Sequence, residues 1–236
     1  MQIDQKTLNE TLRRAFLPVH HPAEIILTCI RWYVAYPLSL RQIEEMRAER
    51  GVEVDHAAKH RWAIKMLPVL DMVCCRCKRP VDKSWRMDET YIKVAGPWKY
   101  LYRAVDKSGA TVDFLLRAKR DHAAARAFFE RAIGLHDVPE KVAIDKSGSN
   151  KAAIVSIQAD TGLAITLRRL TYLNNTVEQD HRAVKRVRPM LGFKNFRCAR
   201  IFIAGIETMR MIRKSSLGDV KDRASSAANQ FYSLAF

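Results

Sequence analysis

Apolar residues recur at helical spacing in the first third of the chain and at alternate positions through its middle, so the pattern alone divides the protein. Ile3, Leu8, Leu12 and Phe16 stand at roughly helical spacing until His20, His21 and Pro22 break the run, which predicts a short amphipathic arm over 1–21. From Pro22, a favourable first helical residue, AEIILTCIRWYVAY is apolar at helical period as far as Pro37 and predicts a buried helix. Ser39 and Gln42 form a capping box opening LRQIEEMRAER, and Gly51 stands where a left-handed C-terminal cap belongs. Asp55 can then cap HAAKHRWAIKM, with His56, Lys59, Arg61 and Lys65 on its exposed side and Pro68 as its stop. Three short helices with tight turns predict an all-α helix-turn-helix domain over 22–70; packing or dimerisation is the other role such a trio can have.

Residues 71–84, DMVCCRCKRPVDKS, lack a period and read as a linker. Cys74 and Cys77 make a C-x-x-C, but no second pair follows at finger spacing, so a structural zinc site is not expected. The period then changes to two. WRMDETYIKV, a turn at Gly96-Pro97, KYLYRAVD, a Lys107-Ser108-Gly109 turn and TVDFLLR predict three strands in an antiparallel meander, with Trp85 and Trp98 as core aromatics. Next come a helix capped by Asp121, the short strand KVAID (141–145), a helix closed by Gly162, the strand AITLRRL (164–170) and a helix over 175–186. Three antiparallel strands followed by alternating helices and strands imply an α/β fold, a mixed sheet with flanking helices. This is the plan of a ribonuclease-H-like domain, expected over 85–214. The polar, small-residue-rich tail over 215–236 reads as a loose extension or a strap onto another surface.

Charge narrows the partner. Lys and Arg number 41 against 25 Asp and Glu, and 48% of residues are hydrophobic, so the chain has a core and an excess of positive surface suited to a polyanion, nucleic acid before membrane. The N-terminus has no basic start leading into an apolar run, and no stretch reaches the ~18 uninterrupted apolar residues of a membrane span, so a cytoplasmic protein is expected. Five cysteines, an odd set in a chain this long, fit free thiols in a reducing compartment.

Three acids stand out. Asp88 lies mid-strand, where Asp is disfavoured. Asp145 closes KVAID at the carboxyl end of a strand, where open α/β sheets place ligand sites. Glu178 lies in the first turn of its helix, near Asn174 or Asn175 as cap. Singly they could be an edge charge, an N-cap and a capping-box acid. Jointly they occupy the first strand, the fourth strand and a later helix, which a ribonuclease-H-like fold brings together. Such clustering suits phosphoryl transfer at DNA, which uses two hard cations about 3.5–4 Å apart, and carboxylates supply the hard oxygen ligands. Arg182 and Lys185, four and seven residues beyond Glu178, share its helix face. From Arg168 to Lys214 there are 12 Lys or Arg against Glu178, Asp180 and Glu207, a net of +9 where a duplex would have to approach.

The segments WRMDETYIKVAGPWKYLYRAVDKSGATVDF, AIDKS, YLNNTVEQDHRAVKR and LGFKNFRCARIFIAGIETMRMIRK resemble the bacterial DDE transposases of insertion-sequence family six, and EIILTCIRWYVAYPLSLRQIEEMRAERGVEVDH resembles that family's helix-turn-helix region. The resemblance covers about 22–214. It implies a triad of Asp88, Asp145 and Glu178 that binds two Mg²⁺ ions, with Mn²⁺ able to substitute. It also implies Lys185 as the cation seven residues past the Glu, and cleavage that frees a 3′-hydroxyl at a terminal inverted repeat before strand transfer to target DNA. The DNA-contacting set expected with it is His56, Lys59, Arg61, Lys65, Lys146, Arg182 and Arg186. Double-stranded DNA, a homodimer or larger synaptic assembly and a nucleoid-associated bacterial location follow from the same resemblance. The third helix, HAAKHRWA, departs from the family pattern, as do the arm before Pro22 and the tail after Lys214. Two rival readings stay open: a DNA-binding regulator with an inactive catalytic domain, and a ribonuclease-H-like nuclease without joining activity.

Overall fold

A computed structural model of the chain describes residues 21–145, 148–169, 193–214 and 226–233. They divide into two compact units, one helical and one built on a sheet.

The helical unit opens with α1 (Ala23–Ala35), α2 (Leu40–Ala48) and α3 (His56–Arg76). Its caps are those the sequence predicts. The Ser39 hydroxyl accepts from the Gln42 amide at 3.2 Å while the Gln42 side chain accepts from the Ser39 amide at 2.8 Å, Gly51 has φ +69, and Asp55 accepts from the Ala57 amide at 3.1 Å. The end of α3 is a correction. Pro68 does not stop it, and the first part of the expected linker over 71–84 is its last turns. Pro68 lacks an amide hydrogen, so the Ile64 carbonyl loses its helical donor. On the opposite side, however, Trp62, Ala63, Met66, Leu67, Leu70, Val73 and Cys74 form a continuous buried stripe across the proline, while Pro68 itself faces solvent. Burial of that stripe offsets one lost hydrogen bond.

The stripe packs against α6 (Phe196–Arg213), capped by Asn195, whose side chain accepts from the Cys198 amide at 2.7 Å. Sequence order suggested that this segment belongs with the sheet over 85–214. In the structure it clusters with α1 and α3, because residues from Ala199 to Ile212 are buried on nearly every side and Gly205 admits Leu67 and Val34 against its backbone. A short helix, α7 (Ala227–Ser233), straps the tail onto the same unit. Its Phe231 is buried, and its Tyr232 hydroxyl lies 3.2 Å from both Thr28 Oγ1 and Arg31 Nε of α1.

The second unit holds β1 (Ser84–Lys93), β2 (Trp98–Asp106), β3 (Thr111–Arg117), α4 (His122–His136), β4 (Lys141–Ile144), α5 (Gly148–Thr161) and β5 (Thr166–Arg169). The strand order is β3-β2-β1-β4-β5, with β1, β2 and β3 antiparallel and β4 and β5 parallel to β1. This is a ribonuclease-H-like mixed sheet with flanking helices. Period-two alternation sends Trp85, Met87, Tyr102, Ala104, Val142 and Ile144 to one face, where Phe128 and Phe129 of α4 and Ile154 and Ile157 of α5 close a single core over them. Arg126 ties the two helices together, its guanidinium 2.6 Å from Asp160 of α5. Asp106 anchors the β2–β3 turn by accepting from Ser108 Oγ at 2.6 Å and the Ala110 amide at 2.9 Å. Among the described residues no helix is long and apolar enough to cross a membrane.

Candidate active site

Asp88 and Asp145 come from neighbouring parallel strands. The β1–β4 register pairs Trp85 with Val142 and Arg86 with Ala143; carried two residues further, it brings Asp145, the first residue past β4, beside Asp88. Both carboxylates are half-buried. Asp88 Oδ1 accepts from the Glu89 amide at 2.9 Å, and across the β1–β2 ladder Asp88 pairs with Arg103, whose side chain is buried and donates to Thr111 Oγ1 at 2.7 Å. An acid mid-strand is thus matched on its own face by a buried cation, which lowers the cost of its charge there.

The other face carries a second acid that sequence reasoning missed. Glu89, with only 4% of its side chain exposed, accepts from Arg120 Nε at 2.6 Å and from Asn150 Nδ2 at 2.5 Å. Arg120 also donates through Nη1 to the Tyr91 hydroxyl at 3.2 Å, and its Nη2 lies 3.8 Å from Asp145 Oδ2. One guanidinium therefore links the carboxylate beside Asp88 to Asp145. Local structure fixes both partners: Arg120 immediately precedes Asp121, which caps α4 through the Ala124 amide at 2.8 Å, and Asn150 is a buried residue of the first turn of α5. Burial pushes the Glu89 carboxyl up, against the opposing pull of Arg120 and Asn150, with Asp145 adding to the rise. Burial works against the Arg120 charge, but Glu89, Tyr91 and Asp145 outweigh it and the guanidinium is held more firmly charged. The sequence did carry a signal for Glu89. It falls in the inward-facing set Trp85, Met87, Glu89, where an acid needs a partner as much as Asp88 does.

Glu178, Lys185, Lys146, Arg182 and Arg186 lie outside the described residues. Lys146 falls between β4 and α5, and the others between 169 and 193. Of the described residues that bound the longer stretch, Arg169 ends β5, and Phe193 donates its amide to the Lys93 carbonyl at 3.0 Å and accepts at its carbonyl from the Ala95 amide at 2.6 Å. Lys93 is the last residue of β1, the strand of Asp88.

In the helical unit, Arg61 and Lys65 are exposed one turn apart on α3. Lys59 is a correction: it is 2% exposed, and its ammonium donates to the Val54 carbonyl, closing the loop that leads into α3. His56 is exposed but stands against carboxylates, its Nδ1 3.0 Å from Asp55 and 3.3 Å from Glu44. Trp98 is a second correction. Trp85 is buried as expected, but Trp98 is 59% exposed at the tip of the β1–β2 hairpin.

The sheet sets an acid on β1 beside another where β4 ends, a carboxylate pair of the kind that holds a hard divalent cation. A family model described as a DDE domain matches residues 82–216. The transposase for insertion sequence-like element IS431mec of Staphylococcus aureus is 37% identical over 194 residues, 82% of this chain and 86% of that one, and the transposase for insertion sequence element IS257 in transposon Tn4003 of the same species is 36% identical over the same length. Among solved structures, the HTLV-2 integrase catalytic core domain in complex with magnesium aligns with a TM-score of 0.45 at 16% identity, covering 65% of this chain and 99% of that one. The chain belongs to the bacterial DDE transposases of insertion-sequence family six, and as such is a polynucleotidyl transferase.

Proposed function

We propose that this transposase binds the terminal inverted repeats of its insertion sequence, cleaves to free a 3′-hydroxyl and joins that end to target DNA, with Asp88, Asp145 and Glu178 as its metal-binding triad. The observation that carries the reading is the pairing of two parallel strands, β1 and β4, that brings Asp88 and Asp145 side by side with Arg120 within ion-pair reach. The donor set fits a hard divalent cation, two half-buried carboxylates on adjacent parallel strands, and an ion bound there would take over from Arg120 the role of balancing Asp145. Bound by the triad, two Mg²⁺ or Mn²⁺ ions supply Lewis acidity to the entering and leaving oxygens.

The chain's own residues do the rest. Asp88 is presented by a strand whose other face is packed on α4 and α5, so its position is rigid. Arg120 balances the charge of Asp145 and holds Glu89, and Lys185 steadies a phosphate of the cleaved strand. In the first step water adds to the phosphorus at the end of the element and the 3′-oxygen leaves as a hydroxyl. In the second that hydroxyl attacks a target phosphodiester, one oxygen–phosphorus bond forming as the target's own 3′-oxygen departs. Arg61 and Lys65 of α3, with Lys146, Arg182 and Arg186, contact DNA phosphates. Lys59 is not among them because it is buried, nor is His56, whose neighbouring carboxylates repel phosphate. Bridging two ends requires a dimer or a larger assembly.

The test incubates the protein with a labelled inverted-repeat end, a target plasmid and Mg²⁺, then repeats it with Asp88→Ala, Asp145→Ala and Glu178→Ala. Joined products are expected for the wild type alone. Joining by any of the three variants removes that residue from the triad; binding without cleavage by the wild type indicates a regulator, and cleavage without joining a nuclease.

A further inference from the structure

The β1–β2 hairpin runs on past the helices that cover its inner half, and its outer half is finished asymmetrically. On one face Thr90, Ile92 and Val94 are buried. On the other, which is the face of Glu89 and Tyr102, the cross-strand rows are Tyr91 beside Tyr100 beside Arg117, then Lys93 beside Trp98. Tyr91 is 46% and Trp98 59% exposed. A bare sheet face ordinarily carries polar side chains; Tyr100 packs against the core, but Tyr91 and Trp98 stand exposed beside it, interleaved with Lys93 and Arg117, a departure that the core does not explain.

We propose that this face is a stacking platform for unpaired nucleotides of the DNA that enters the acidic site. The inference rests on the transposase reading above and adds a binding site to it. Three observations carry it. The aromatics are held in place: the Tyr91 and Tyr100 rings meet edge to face at 5.3 Å, and the Tyr91 hydroxyl accepts from Arg120 Nη1 at 3.2 Å. Spacing suits bases, since Trp98 and Tyr100 are two residues apart on one strand and so about 7 Å apart, room for a flat ring to enter beside each. Charge suits a phosphate backbone, with Lys93, Arg117 and Arg120 around the patch, while the nearest buried acid, Glu89, is taken by Arg120. The same guanidinium lies 3.8 Å from Asp145 Oδ2, which ties the platform to that carboxylate, whereas Asp88, three residues before Tyr91 on β1, points to the opposite face. Stacking on aromatic faces is indifferent to base identity, so the ligand is single-stranded DNA of any sequence, such as a frayed end or an overhang.

The full chain is tested by fluorescence anisotropy, in EDTA, with a labelled oligothymidylate and with a blunt duplex of equal length. Trp98→Ala should weaken oligothymidylate binding about tenfold and leave the blunt duplex within about twofold, while Trp98→Phe retains most of the single-strand affinity. Equal weakening of both ligands, or no weakening, overturns the proposal. So does a Trp98→Ala protein that binds oligothymidylate normally but loses self-association in sedimentation velocity, because the face then belongs to a second copy of the chain. Since EDTA removes the metal, Asp88→Asn should keep oligothymidylate binding while abolishing joining; joining by Asp88→Asn would defeat the triad and leave the platform standing.

Discussion

Gly205 lies in the middle of α6, and replacing it by alanine tests whether that helix belongs with α1 and α3. A Cβ built there would lie 2.6 Å from Leu67 Cδ2, 2.9 Å from Val34 Cγ1 and 3.1 Å from Leu67 Cδ1. Carbon atoms prefer about 3.5–4.0 Å, so the closest pair overlaps by roughly 1 Å. Neither neighbour can give way easily, because Leu67 and Val34 are each 1% exposed and stand on different helices, α3 and α1. Overpacking of a tight core costs about 1–3 kcal/mol, and two clashes from two sides put this site near the upper end. Against that, alanine gains about 1 kcal/mol over glycine within a helix. Gly205→Ala should therefore lose about 2 kcal/mol net, a fall in Tm of about 4–8 °C for a chain of this size, measured by urea and thermal unfolding.

The sign is what decides. Were α6 not seated against α1 and α3, only the helical gain would survive and the variant would be more stable than the wild type; a raised midpoint refutes the packing. The double variant sharpens the test. Leu67→Ala alone costs about 2–5 kcal/mol through its cavity, but the same cavity accepts the new methyl group. Leu67→Ala with Gly205→Ala should then be more stable than the sum of the two losses by about 2 kcal/mol, whereas strict additivity would mean that residues 67 and 205 do not touch.

Two further stability predictions use the same unfolding assays. Asp106 accepts from the Asp82 amide at 3.1 Å as well as from Ser108 and Ala110, so Asp106→Ala should cost about 3 kcal/mol at roughly 1 kcal/mol per bond; a loss below about 1 kcal/mol would show that the turn does not depend on it. Lys59 has its pKa lowered by burial, which outweighs the opposing pull of Glu44, Cys29 and Asp55. Its charged form is penalised in the folded state, so relative to Lys59→Met the wild type should gain stability as pH rises toward the ordinary lysine value of 10.5 and lose it as pH falls through the depressed one; a stability difference flat from neutral pH to 10.5 would contradict the burial.

Local rules made much of this fold legible. Caps at Ser39, Asp55 and Asp121, the left-handed Gly51 and Gly162, and period-two alternation in β1–β3 each depend on residues a few positions apart, and each is realised. What escaped depends on partners distant in sequence. Pro68 reads as a stop only if α3 must stand on its own bonds; with α6 seated along the opposite stripe, the helix runs eight residues further. Lys59 looks solvent-facing on a helical wheel, but it curls back to a carbonyl five residues earlier.

The candidate site divides along the same line. Asp88 is conspicuous in its own strand, and Asp145 can be found from element order, whereas Glu89 acquires its meaning from Arg120 and Asn150, 31 and 61 residues away. Trp98 is the clearest instance. Its alternation matches that of Trp85, which is 1% exposed, and nothing within the strand distinguishes the two. The difference is the reach of the helix layer: α4 and α5 cover the face at Trp85 and Met87 but not at the hairpin tip, so one periodicity yields a core residue at one end of the hairpin and an exposed ring at the other. Period reports which way a side chain points, and only the extent of the neighbouring layer decides whether it meets protein or solvent there. An aromatic on the inward set but beyond that layer is accordingly free to serve a ligand, which is why the mistaken reading of Trp98 and the proposed stacking platform rest on one geometric fact.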